Sequence, residues 1–443
     1  GNFVLRPKPN AAGQWITVRT SGTLPAEGSR VSPALAGQMP KILTPNAAPA
    51  LGTAPGAQGW RLMGLEVSAT PGTSMVYSLV NFGDIGSLQN TATQIPSRLV
   101  IDRSFVHGTS VLDLRRCVTL NSASSAVIDS YISDCHSRNS DSQAIWGWNG
   151  PGPFKITNNR LEGGHEGLGF GGADPNITNL VPSDVEIRRN HVIRPLSWRG
   201  VWPAKNLFEL KAGRRVLVEG NVFENNWPDA QNGFTFLLRS YNPEGSAPWT
   251  ATEDITFRYN RVRNIAGGFD LHVKGTHASE PLRRVTIAHN VFDTLDPSNG
   301  RFYQITGGVA GVTIVRNTGV GVNHDVLFIT PEASMSDFVF RDNITVGQYP
   351  LFAAGGLMGA QTLSTLRIPA GNVTGNVFVT TLGHVLPSGN VATSSLAAVG
   401  FASPSGGDYQ LTSSSAYRTS GTGGITPGAD VGAVATMIQG VVP

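Results

Sequence analysis

The sequence predicts an all-β solenoid: a single domain of stacked coils, on three observations. First, an alternating strand that runs into Asn and then resumes with apolar residues recurs along the chain. It reads KITNNRLEG from Lys155, EIRRNHVIR from Glu186, LVEGNVFEN from Leu217 and ITFRYNRVR from Ile255, then VTIAHNVFD from Val285, VTIVRNTGV from Val312 and FVFRDNITV from Phe338. The Asn positions are 159, 190, 221, 260, 290, 317 and 343, with steps of 31, 31, 39, 30, 27 and 26 residues. A unit of that period cannot bury its apolar face alone, and stacking the units builds one continuous core. Second, a short strand closed by Gly, Ser or Pro lies between the phrases, as in GLGFGGA, LFELKAG, FTFLLRS and FDLHVKG. Third, charged residues are only 14% of the chain and Gly accounts for 53 of 443 residues. Averages of roughly 25% charged and 7% Gly make this a composition for tight turns and strands covered on both faces.

Residues 1–98 read as opening coils, GNFVLRPKP, WITVRTSG and GWRLMGLEV, interrupted by Pro- and Ala-rich loops. Residues 99–380 carry the regular repeat, loosely at first in LVIDRSFVHG and AVIDSYISD. Residues 381–443 turn Ser/Gly/Thr-rich and are expected to form a final coil and a covering segment, since solenoids must hide their ends. The recurring Asn is read as structural. Asn tolerates left-handed backbone, and stacked Asn side chains bond up and down a column. The opening at Gly1, without Met, signal sequence or leading cap, points to a mature form or a fragment. Exposed end coils would permit end-to-end self-association.

The net charge of +3 gives no global field that demands nucleic acid or an anionic membrane. No apolar run reaches the roughly 18 residues of a membrane span. Cys117 and Cys135 leave one disulfide or two buried thiols open, and their strand-like apolar contexts favour the thiols.

The phrases GNFVLRPKP, SRLVIDRSFVHG, RRCVTLNSASSAVIDSYISD, SQAIWGWNGPGPFKITNN and NLFELKAGRRVLVEGNVFENNW, with the tail DYQLTSSSAYRTSGTGGITPGAD, carry a resemblance. The chain resembles secreted bacterial right-handed parallel β-helix repeat proteins of the pectate-lyase-like superfamily. The resemblance covers nearly the whole chain. It implies a right-handed parallel β-helix, a secreted or cell-envelope location and a polysaccharide as partner. That superfamily mixes lyases, hydrolases, esterases and phage spikes, so the fold does not fix the chemistry.

Aligning the second strands places Lys211, Arg239 and Lys274 in one outward column, with Asn149 before them and Thr306 and Thr330 after. Glu209, Leu237, His272 and Gln304 fall one column over, and Asp270 in the next. Phe208, Leu210, Phe236, Leu238, Leu271 and Val273 point inward. Three cations about 4.8 Å apart repel by roughly 3 kcal/mol at an effective dielectric near 20, unless they splay into water or face an anionic ligand. The functional reading is a site for an acidic sugar chain, with Glu209, Asp270, His272, Asn149 and Trp227 as further substrate contacts. The loop SYNPEGSAPWTATED would overhang it. The competing reading is a solvated face on a non-catalytic surface, filament-forming or glycan-binding β-helix.

For a lyase working by β-elimination, Lys211 or Lys274 is nominated as base, its pKa depressed by burial and neighbouring cations, and Arg239 as charge stabiliser. Certain β-helix lyases use a Lys/Arg pair in this way, often with Ca²⁺. Calcium is left open here, with Asp129, Asp134 and Asp141 as dispersed candidates. A hydrolase would instead draw on Glu209, Asp229, Asp270 and Glu166. His136 and His165 fall in adjacent coils and are read chiefly as turn hydrogen-bonding groups. Trp198, Trp202, Trp227 and Trp249 lie in turns or loops, suited to stacking on sugar or to packing loops. Trp146 and Trp148 are read as core. The glycines of GFGGADP would leave a groove beside the basic column.

Overall fold

The computed structural model describes residues 1–8, 13–272, 275–295, 300–307, 310–321, 324–330, 335, 337–353, 356–383 and 385–442. The chain is all-β, a parallel β-helix. Parallel strand connections are right-handed in about 98% of cases, which gives the coil its hand. Two compact units are present: residues 1–217 with 241–251 and 275–280, and residues 218–240, 252–274 and 281–443.

In the first unit each coil contributes one strand to each of three parallel sheets. One coil runs Phe154–Thr157, Arg160–Gly163, Glu166–Phe170. The next runs Ser183–Arg188, His191–Ile193, Asn206–Leu210, in register through Phe154↔Val185, Arg160↔His191 and Leu168↔Phe208. The Asn phrase is therefore two strands rather than one, bent at the Asn, and the coil has three sides. The sequence reading of two strands per coil missed that corner because the apolar alternation resumes immediately after it. The second unit repeats the plan, with Thr252–Arg258, Arg261–Ile265 and Gly267–His272 pairing to the next coil through Ile255↔Val285, Val262↔Phe292 and Leu271↔Ile305.

The Asn column is the register device that the repeat implies. In the second unit the side-chain oxygen of each Asn accepts both the backbone N–H and the amide N–H of the Asn one coil earlier. This runs from Asn221 through Asn260, Asn290, Asn317, Asn343 and Asn376 to Asn390. Asn159 and Asn190 are bonded in the same way in the first unit. The left-handed residue is not the Asn but its predecessor: Asn158, Arg189, Gly220, Tyr259, His289, Arg316 and Asp342 all have φ between 54° and 64°. Asn290→Ala would leave buried donors and acceptors on three coils unpaired. It is expected to lower stability by on the order of 3–5 kcal/mol in urea unfolding.

Leu168, Phe170, Phe208 and Leu210 fill the first unit's interior, and Phe236, Leu238 and Leu271 the second's, as alternation predicts; Val273 lies outside the described residues. Cys117 and Cys135 form a disulfide, which overturns the two-thiol reading. They sit in different strands of one coil, Arg116–Leu120 and Tyr131–Cys135, and both face its interior. An apolar strand context is the same for a thiol and for a disulfide, so the sequence could not separate them. Replacing both by Ser should cost about 3 kcal/mol, the scale for a loop of that length, measured by thermal unfolding with and without reductant.

The C-terminal segment does not merely close an end. Its helix Val431–Met437 and hairpin Phe401–Ser403/Asp408–Leu411 pack against Val291, Val320, Ile344 and Val377, along the flank of successive coils. Thr422 N–H donates to Asp342, and Arg261 donates to the Gly407 carbonyl.

Candidate functional site

Glu209 lies on the face of its strand, Asn206–Leu210, turned away from the Phe208 and Leu210 core side, and Lys211 follows in the bend after the strand. Lys211 Nζ lies 2.5 Å from Glu209 Oε1. Glu209 is 0% exposed, and among the described residues neither of its carboxylate oxygens receives an aligned hydrogen bond. One coil earlier Gly169 is its register partner, and before that Trp146. A Cβ on Gly169 would lie 2.6 Å from the Trp146 ring, and one on Gly172 would lie 3.2 Å from Lys211 Cδ. These glycines let the indole and the lysine lie against the sheet, filling the space that the reading of GFGGADP leaves as a groove. Trp146 is buried, but its indole N–H donates to the Gly171 carbonyl beside this site rather than pointing into the core. Trp148 likewise stacks with the Arg116 guanidinium, 4.9 Å away.

Glu166 completes the pair of buried carboxyl groups. It accepts from Gln143 Nε2 at 2.8 Å and lies 3.8 Å from Lys205 Nζ. Lys205 reaches Asp141 at 2.6 Å, and His165 sits 3.7 Å from the same Asp141 oxygen while contacting Ser142 Oγ at 3.0 Å. Burial, then the charges of Glu209 and Asp141, push the Glu166 carboxyl up to about 8, against the pull of Lys205 and Lys211. Burial would also raise Asp141, but the hydrogen bond and charge of Lys205 win and hold it below the usual range. Burial lowers the Arg116 guanidinium to about 9, helped by Arg115. The Glu166 carboxyl is thus pushed towards its neutral, protonated form, with Lys205 alongside it.

Lys211 departs from the sequence expectation. Burial would lower its pKa, but Glu209, Glu166 and Asp141 outweigh burial and raise it. Its direct partner is the Glu209 carboxylate rather than a cation, so it stays an ammonium and is unsuited to act as the base. The loop that includes Tyr241–Ala251 lies over this face, as predicted. Tyr241 N–H donates to the Lys211 carbonyl, its ring centre is 5.9 Å from Nζ, and Asp174 binds Ser246 and Glu244.

Arg239, Asp270 and His272 belong to the second unit. There the register is Leu237↔Asp270↔Gln304, with His272↔Thr306. This places Arg239 in line with His272, two residues short of Lys274, which lies outside the described residues. Asp270 accepts from Gln304 at 3.1 Å, and burial raises its pKa. His272 Nδ1 meets Thr306 Oγ1 at 2.5 Å.

Two predicted contacts are engaged elsewhere. Asn149 is buried, donating to Asp84 and Gln89 carbonyls and accepting from Asn176 N–H, so it clamps loops. Trp227 is 4% exposed and presents no face for stacking. Trp198 and Trp202 are buried as well; Trp202 stacks on His136, and burial lowers that imidazole to about 4. Trp249 is half-buried and donates to the Leu180 carbonyl. Sequence reasoning named Glu166, Glu209 and Lys211 but missed Lys205 as their partner, because Lys205 precedes its strand, where alternation says nothing.

Among the described residues no group of three or more His, Cys, Asp or Glu gathers to hold a metal ion. Asp129 binds Gly28 N–H and Asn158, whereas Asp141 is occupied by Lys205.

No family model matches the chain, and no curated protein matches it. Among solved structures the chain is similar to pectate lyase Pel9A, at 11% identity over 87% of this chain and 92% of that one, with a TM-score of 0.39. A likeness of that degree says nothing about the chemistry, which rests on the residues above.

Proposed function

We propose that this is a carbohydrate-active β-helix protein that cleaves an acidic polysaccharide by β-elimination, outside the cytoplasm. The observation that carries the reading is two buried carboxyl groups, each beside a lysine: Glu166 with Lys205 Nζ at 3.8 Å, and Glu209 with Lys211 Nζ at 2.5 Å. Burying such groups costs several kcal/mol per ion, a cost that stability alone does not justify; perturbed buried groups of this kind mark functional sites. Elimination needs a base at the carbon next to the uronate carboxyl group, a positive charge for the enolate-like intermediate and an acid for the leaving oxygen. Glu209 takes the proton, Lys211 and Lys205 hold the carboxylate, and Glu166 gives its proton to the departing sugar oxygen as the C–O bond breaks. Arg239, Asp270 and His272 are proposed as further substrate contacts. The disulfide supports an oxidising location.

The decisive experiment is ultraviolet absorbance of unsaturated uronates on a panel of acidic polysaccharides. A rise that Glu209→Gln removes supports the reading. A flat trace on every substrate would overturn it. The near-complete burial of Glu166 and Glu209 favours a second reading, a non-catalytic glycan-binding β-helix, which would bind the polymer without any absorbance change.

A further inference from the structure

The second unit carries a cleft of about 310 Å³ where the C-terminal segment lies along the coils, lined among others by Arg316, Tyr409, Arg418, Thr426 and Asp430. Arg316 is the left-handed residue before ladder Asn317, so the ladder fixes its backbone. Its side chain is half-buried, and its Nε is buried without a hydrogen-bond partner among the described residues. Arg418 is an exposed residue on the same cleft, its carbonyl tied to Thr426 Oγ1 at 2.9 Å. Among the described residues of the lining Asp430 is the one acidic side chain, and it already caps Ala433 N–H. His289, whose Nδ1 accepts from Asp430 N–H, is lowered by burial and by Arg316, against the pull of Asp430.

We infer that this cleft binds a small oxyanion-bearing ligand, a carboxylate or a sulfate carried on a single ring-sized molecule. Two guanidinium groups supply the planar forks that match such anions. The volume sits at the small end of the roughly 300–1,000 Å³ range of ligand sites. This site is independent of the Glu166 cluster and stands whether or not the protein is a lyase.

The test is calorimetric titration of the full chain with sodium glucuronate, sodium sulfate and, as a neutral control, glucose. Saturable binding of glucuronate or sulfate, weakened about ten-fold or more in both Arg316→Gln and Arg418→Gln, is the expected result. Preference for glucuronate would assign a carboxylate ligand, and preference for sulfate a sulfated one. Because Arg418 is exposed, its variant keeps the test sound if Arg316→Gln fails to fold. Absence of saturable binding by both anions, equal binding of glucose, or variants that bind as the parent does would overturn the inference.

Discussion

Glu166→Gln should lower turnover of the cleaved polysaccharide by about 10²–10⁴-fold, the usual contribution of a positioned acid, while substrate binding changes little. The same substitution should make the protein more stable in alkali. The folded carboxyl holds its proton up to about pH 8, against 4.5 ordinarily. Between those values the folded state carries a proton that the unfolded chain has lost, so stability falls as pH rises through that window. Gln is neutral at every pH, and it still accepts from Gln143. Its stability should therefore match that of the parent near pH 4 and pull ahead towards pH 8, by on the order of a few kcal/mol, with a matching rise in thermal midpoint. Activity and melting measured across that range separate two roles. A residue that is merely structural would give the stability gain without the loss of turnover. An unchanged difference in midpoint at pH 4 and pH 8 would mean that Glu166 is ionised in the fold.

Much of this could be read from one sequence because the Asn ladder leaves a mark at every coil. An amide that must accept two bonds from the coil before it cannot drift, so Asn260, Asn290 and Asn317 date the register directly. Alternation then separates Phe208 and Leu210 from Glu209. It fails where the chain leaves the strand. Lys205 precedes Asn206–Leu210, and Asp141 precedes Gln143–Gly147, yet their contact holds one side of the site. It fails again at Lys274, aligned with Arg239 on sequence, because the pairing of Leu238 with Leu271 places His272 there. Trp146 reads as core from its apolar surroundings. The bare surface of Gly169, which lets its ring lie on the polar face, shows only in three dimensions.

Lys211 and Glu209 give the second large effect. Lys211→Met removes the ammonium from a carboxylate that is 0% exposed, leaving a buried charge unpaired, and should cost about 3–5 kcal/mol. Glu209→Gln should cost less. Lys211 keeps some access to water, with a side chain 18% exposed, and Tyr241 lies alongside it. The double variant, Lys211→Met with Glu209→Gln, removes both charges and should recover most of the stability lost in Lys211→Met, since replacing a buried pair by neutral groups is often close to neutral. Turnover should not recover with it: base and countercharge would both be gone, whatever the melting temperature. A double variant as stable as the parent and inactive on a substrate that the parent cleaves would place the pair in the chemistry. If it were as stable and fully active, Glu209 and Lys211 would be a structural ion pair within one coil, and the base would have to be sought elsewhere.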